Sequence, residues 1–316
     1  MISVHIKEKP DLNWNKRLET NSQGSIYHTT EYAYVQNDLN FKPIFLKFVN
    51  STGNIVGQML IVVRARSFSH SQLRFFKEIL SSKNKILRWV YGPVIFDSQF
   101  TFEILESLIE FFKVQKKSFS GSEHPFSFGM FSKVKNNFKL NKWGTYIFNL
   151  SEGSDLLWSK MEKNSVKKNI ERTKKRGIYA KEMKRTDLEL YRKIRKETKP
   201  VSLSTLENRW DKLKKVGWTG FLAFENENPI GGIMVSHFNG FINEFGIART
   251  KRDFIGKFYA QDLLKWTILE WGINKNLKYY DLTGVNPNPS NEKELGILRY
   301  KEKWGADFLS YYKITT

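Results

Sequence analysis

The chain has 316 residues and no cysteine. That excludes disulfides, thiol nucleophiles and cysteine-ligated metal, and it fits a reducing compartment. Histidine is scarce too. His5, His28, His70, His124 and His237 are scattered, and no pair has the helical spacing of zinc ligands. Long apolar runs are missing. The longest, Met59-Leu60-Ile61-Val62-Val63, stops at Arg64, far short of the roughly 20 residues that cross a bilayer. Lys7, Glu8, Lys9, Pro10 and Asp11 interrupt the region where a signal peptide would carry its apolar core. A cytoplasmic protein is expected, with peripheral contact to an anionic membrane left open.

What the chain does have is apolar content and positive charge. It is 40% hydrophobic and 15% aromatic, which supplies packed cores and argues against disorder. Its length suits two domains of ordinary size. The formal net charge is +20, with 20 basic and 11 acidic residues through residue 150 and 32 and 21 after it. The excess therefore lies in both halves rather than in one tail. Such a field draws phosphate-rich partners: tRNA, nucleotide-diphosphate sugars or anionic lipid. Generic surface charge on a lysine-rich chain is the plainer alternative.

Pattern and punctuation predict the elements. Pro43–Val49 and Ile55–Arg64 form a hairpin around Ser51-Thr52-Gly53-Asn54. Ile104, Leu105, Leu108, Ile109 and Phe112 give residues 102–114 an amphipathic helical period. Residues 145–150 read as a strand. A long basic helix is expected over Asp155–Arg176, closed by Gly177. Helices near 187–196 and 203–216 come next, then three antiparallel strands over 221–225, 230–238 and 241–248. A helix over 259–274, a strand over 278–282, a helix near 294–304 and a last strand over 307–314 complete the order. Loop content places a domain boundary near Leu150, giving domains 1–148 and 149–316.

The closing stretch carries the strongest motifs. Tyr279-Tyr280-Asp281-Leu282-Thr283-Gly284-Val285 is followed by Leu298-Arg299-Tyr300-Lys301-Glu302-Lys303-Trp304-Gly305. Upstream, Leu157-Trp158 precedes an Arg/Lys-rich run ending in Gly177, and Gly92-Pro93-Val94 precedes Asp97. Together these resemble the Fem family of tRNA-dependent peptidyltransferases, which add amino acids to a cell-wall precursor. The resemblance implies an α/β (α+β) fold of two GNAT-like N-acyltransferase domains, each a mixed, mostly antiparallel sheet flanked by helices. It covers the chain as element order and is specific from Tyr279 onward and in the basic segment. The long coiled-coil arm of some members has no counterpart, since no heptad run is present.

The resemblance also implies roles. Tyr300-Lys301 matches the family's aromatic–lysine pair, whose lysine faces the transfer centre and can neutralise an oxyanion. Asp97 corresponds to a carboxylate at the first domain's cleft that orients or deprotonates the acceptor amine, or it simply caps a turn. Lys168 and Arg172 correspond to contacts with substrate phosphate, or to a solvated charged face. Asp281 is expected to fix its strand end by hydrogen bonds. In a GNAT-like sheet two parallel strands splay apart to receive the donor, here 241–248 and 278–282. The loop Arg249–Lys257 stands where acetyl-CoA enzymes carry a glycine-rich pyrophosphate loop. It has one glycine and is one residue too long, yet Arg249 and Arg252 remain able to bind phosphate. Tyr34 and Gln36, in Glu31-Tyr32-Ala33-Tyr34-Val35-Gln36, stand where family members commonly carry lysine. No metal or bound cofactor is implied.

The function expected is an aminoacyltransferase that moves an amino acid from aminoacyl-tRNA to the amine of a phosphate-bearing cell-wall precursor. Two alternatives stay open: an N-acyltransferase using acyl-CoA, and a non-catalytic nucleic-acid-binding protein. Against the last, the charge is distributed and no RNA-binding motif is present.

Overall fold

A computed structural model describes residues 2–65 and 85–316; His70 lies outside them. The chain divides into two compact units, Met1–Gly144 with Ser310–Thr316, and Thr145–Leu309.

Unit one is built on β1 (Ser3–Lys7), β2 (Lys42–Val49), β3 (Ile55–Ala65), β4 (Lys85–Arg88), β5 (Val94–Ile95) and β6 (Ser118–Ser122). β2 and β3 form the expected hairpin. Asn50 ties its turn by accepting the amides of Thr52 (3.1 Å) and Asn54 (2.9 Å) through its side chain. The order is β1-β2-β3-β4-β6, with β5 on β3, and β4 runs parallel to β6 while the other pairs are antiparallel. β6 pairs in turn with the chain's last strand, from Lys313 opposite Ser122 to Thr315 opposite Ser120. Helices α1 (Trp14–Glu19), α2 (Thr30–Asp38) and α3 (Thr101–Gln115) flank this sheet. The stripe predicted on α3 is the buried one, packed in a core with Trp89, Phe119 and Phe131. Gly121 is required there, because a Cβ would overlap the Trp89 indole.

Unit two continues from β7 (Lys139–Asn149), with β8 (Tyr179–Glu182), β9 (Trp218–Glu225), β10 (Asn228–Ser236), β11 (Phe241–Arg249) and β12 (Tyr279–Val285). The order is β7-β12-β11-β10-β9-β8, and β11 and β12 are parallel. The helices are α4 (Gly153–Lys160), α5 (Lys168–Lys175), α6 (Leu188–Lys196), α7 (Leu203–Leu213), α8 (Lys251–Gly256), α9 (Ala260–Asn274) and α10 (Glu292–Glu302), and β13 (Asp307–Thr315) follows. The elements expected from the sequence occur in the expected order, with β1, β6 and β8 in addition. Among the described residues no helix is long and apolar enough to cross a membrane.

Two local expectations fail. The single basic helix over Asp155–Arg176 is broken. Met161 and Glu162 are extended (ψ 147° and 121°), and a π-helical turn over Lys163–Lys167 precedes α5. Met161 is buried, and the Glu162 amide leaves the helical pattern to donate to the Lys303 carbonyl at 2.9 Å. Lys160, Lys163, Lys167 and Lys168 therefore do not share one helical face. The stretch expected as a loop, Arg249–Lys257, instead holds α8, capped by the Thr250 hydroxyl on the Asp253 amide (3.1 Å).

Candidate active site

The centre of unit two is where two parallel strands part. β11 and β12 pair from Phe241 and Tyr279 only as far as Asn243 and Asp281, although β11 runs on to Arg249. On its other side β11 carries a bulge: Val235 faces Glu244 and Met234 faces Gly246, leaving Phe245 unmatched. A bulge bends its strand and re-aims the residues beside it.

Asp281 is an anchor within β12, at the last residue that pairs with β11. Its buried carboxylate accepts the Thr145 hydroxyl, the Thr283 amide (2.7 Å) and the Asn243 side-chain amide (3.2 Å). This holds Thr283 in the left-handed region, φ 67°, which β-branched residues rarely adopt. The strand there presents the carbonyls of Thr283 and Gly284 to α10.

α10 brings Tyr300 and Lys301 to that point. Lys301 is 8% exposed. Its Nζ donates to the carbonyls of Thr283 (2.9 Å) and Gly284 (3.3 Å) and to Thr283 Oγ1 (3.3 Å). Burial, helped by the charge of Lys265, lowers its pKa to about 8. Tyr300 Oη donates to Asp262 Oδ1 at 2.7 Å, and Asn169 of α5 donates to Asp262 Oδ2 at 2.8 Å. Burial raises the Asp262 pKa, and burial together with Asp262 holds the Tyr300 phenol well above its ordinary value.

Beside them lies an ion pair that the sequence reading missed. Lys265 of α9 and Glu244 of β11 are paired, their side chains 3% and 2% exposed. Tyr280 Oη donates to Glu244 Oε1 at 2.6 Å, while Glu244 Oε2 is buried without a partner. Glu244, Lys265, Asp262 and Asn169 were all overlooked. The available signal was a charge interrupting an apolar stretch: Glu244 within Phe241–Phe245, and Lys265 between Leu264 and Trp266.

The other expected site residues are more dispersed. Lys168 and Arg172 are exposed on α5, the helix whose Asn169 reaches the carboxylate shared with Tyr300. Arg249 is paired with the fully buried Asp253, which also accepts the Ala260 amide at 3.0 Å. Arg252 is paired with Glu225. Both guanidiniums are thus engaged within the chain. In unit one, Asp97 caps a 3₁₀ turn, accepting the Gln99 amide at 3.1 Å and its side chain at 2.6 Å. Tyr34 is half exposed on α2. Gln36 is buried, and its Oε1 accepts from Arg64 Nη2 at 2.6 Å.

No protein-family model and no curated protein matches this chain. Solved structures do. FemX superposes with a TM-score of 0.69 at 12% identity, over 98% of this chain and 96% of its own. L-PGS from Bacillus licheniformis gives 0.61 at 13%, over 97% and 92%. A tandem GNAT protein from the clavulanic acid biosynthesis pathway gives 0.52 at 8%, over 100% and 98%. At such identities the likeness is one of fold. The chain is built of two GNAT-like domains, the fold it shares with FemX, and the resemblance to the Fem family holds at that level.

Proposed function

We propose that this chain is an acyltransferase, and specifically an aminoacyltransferase that moves an aminoacyl group from aminoacyl-tRNA to the amine of a phosphate-bearing cell-wall peptide precursor. The observation that carries the reading is Lys301: a buried ammonium held by backbone carbonyls just beyond the point where β11 and β12 part. In the reaction the neutral acceptor amine attacks the ester carbonyl. The new C–N bond forms, the ester C–O bond breaks, and the tRNA oxygen leaves with the proton shed by the amine. Negative charge gathers on the carbonyl oxygen in between, and a fixed cation in a dry site stabilises it. Tyr300, locked on Asp262, and the Asn169–Asp262 bond keep α10 and α5 in register so that the cation does not wander. Lys168 and Arg172 lie exposed on α5, available to phosphate. Arg249 and Arg252 serve the donor only by exchanging Asp253 and Glu225 for its phosphates. Asp97, Tyr34 and, on release from Arg64, Gln36 are proposed as substrate contacts of unit one.

An acyl-CoA donor fits less well. Pyrophosphate needs free backbone amides after β11. Here the Lys251 amide donates to the Glu197 carboxylate at 2.7 Å and the Asp253 amide to Thr250, so a side-chain anion and a cap already occupy them.

The test is a transfer assay with labelled aminoacyl-tRNA pools and a muropeptide precursor, beside an acetyl-CoA reaction. Label reaching the precursor supports the proposal. Turnover of acetyl-CoA without transfer from tRNA defeats it. Lys301→Ala should abolish transfer and leave tRNA affinity largely intact; equal loss of both would mean charge-driven binding alone.

A further inference from the structure

Apart from Arg249 and Arg252, the exposed face around α8 combines features that the transferase chemistry does not use. Phe254 and Ile255 are adjacent on α8 and 68% and 77% exposed. They are not on a loose tip. The Thr250 cap, the buried Asp253 bonded to Arg249 and the Ala260 amide, and Arg176 Nη1 donating to the Gly256 and Lys257 carbonyls (both 3.0 Å) fix the segment from three sides. Two large apolar side chains are thus held outward by a rigid frame.

Cations surround them. Lys251, Arg252 and Lys257 are exposed on the same segment, and Arg176 adjoins it. The Arg249 guanidinium lies 5.0 Å from the Phe254 ring centroid. Phe258 has Arg176 and Arg252 at 5.3 and 5.4 Å. On the neighbouring edge the exposed Tyr179 stacks on Phe224, with Lys181 at 4.9 Å from that ring. Arg249 and Arg252 are balanced by Asp253 and Glu225, whereas Lys251, Lys257, Arg176 and Lys181 have no ion-pair partner among the described residues. The patch is therefore apolar at its tip and cationic at its rim.

We propose that this face docks on an anionic membrane surface, with Phe254 and Ile255 entering the acyl boundary and the lysines and arginines meeting lipid phosphates. Either signal alone binds weakly, and the two together give stable but reversible attachment. Arginine held against an aromatic ring keeps donors directed at phosphate while its flat face stays covered. A nucleic acid would use the rim equally well. It would leave the outermost residue unexplained, because Ile255 has no ring on which a base can stack. The proposal concerns where the protein works and stands apart from the chemistry at Lys301.

The absence of cysteine makes the test direct. Ile255→Cys provides a single attachment point for an environment-sensitive fluorophore. With vesicles of equal parts phosphatidylglycerol and phosphatidylcholine, the label should blue-shift and become quenchable by a bromine-bearing acyl chain. It should not respond to phosphatidylcholine alone. Phe254→Ser with Ile255→Ser should weaken co-sedimentation with the anionic vesicles roughly tenfold or more. Lys251→Glu with Lys257→Glu should do the same, the melting temperature staying unchanged in both. A silent label, or anionic-vesicle binding unaffected by the double serine variant, overturns the proposal. So does a label that responds to tRNA and not to lipid.

Discussion

Replacing Lys265 by Met tests the least expected feature of unit two. The change keeps the apolar stem of the side chain and removes the ammonium from Glu244. Both partners are within 3% of complete burial, so water cannot take the ammonium's place. Glu244 would retain the Tyr280 hydroxyl on Oε1 and nothing on Oε2. Breaking a buried pair from one side costs about 3–5 kcal/mol, because a desolvated charge is left behind. In a unit of 165 residues, Thr145–Leu309, each kcal/mol moves the midpoint by about 2–4 °C, so a fall of roughly 6–20 °C is expected. Calorimetry and urea unfolding followed by circular dichroism would measure it. The decisive companion is Glu244→Leu with Lys265→Met, which removes both charges and should recover most of the loss. The reasoning is refuted if the single variant loses less than about 1 kcal/mol, or if the double variant is as unstable as the single.

Other outcomes follow from the same geometry. If the Lys301 ammonium carries transfer, the rate should fall as pH rises through about 8, and the fall should move to higher pH in Lys265→Met, since Lys265 helps to hold that pKa down. Stability should move the opposite way, because a lysine whose pKa is depressed by folding adds stability as pH rises from about 8 toward its unfolded value. A rate flat to pH 10 in the parent would contradict the role. His28 and His124 are buried and neutral, with pKa values lowered by burial to about 4 and about 3. Unit one should therefore lose stability as pH falls below about 6.5, His28 alone accounting for about 3 kcal/mol by pH 4. His28→Gln should flatten that limb of a pH–stability curve, and an unchanged slope would argue against it. Gly305 has φ 68°, and a Cβ there would collide with the Lys160 carbonyl. Gly305→Ala should cost at least about 2 kcal/mol by urea titration, and a parent-like midpoint would show that the turn relaxes freely.

Local pattern made much of the fold legible. The β2–β3 hairpin, the α3 stripe and the β9–β11 meander each announce themselves within ten or so residues, through alternation, helical period and turn chemistry. Tyr300-Lys301 was legible as a motif. The rest depended on partners distant in sequence. The break at Met161 comes from a backbone bond between Glu162 and Lys303, which no window around residue 161 contains. β1 and β8 are short and mostly exposed, so they lack an apolar face to declare them. The Glu244–Lys265 pair joins a strand to a helix 21 positions later, and either residue alone looks like a surface charge. Gln36 illustrates the reverse: a position marked for ligand contact is tied to Arg64.

The pairing of β6 with β13 bears on how the polypeptide is made. Residues 310–316 belong to the unit formed by the first 144, so on the ribosome the N-terminal sheet waits with the β6 edge bare while the whole of 145–309 is translated. An open strand edge that persists through synthesis invites pairing with neighbouring nascent chains. The strand that covers the β6 edge is thus made only after the residues of unit two.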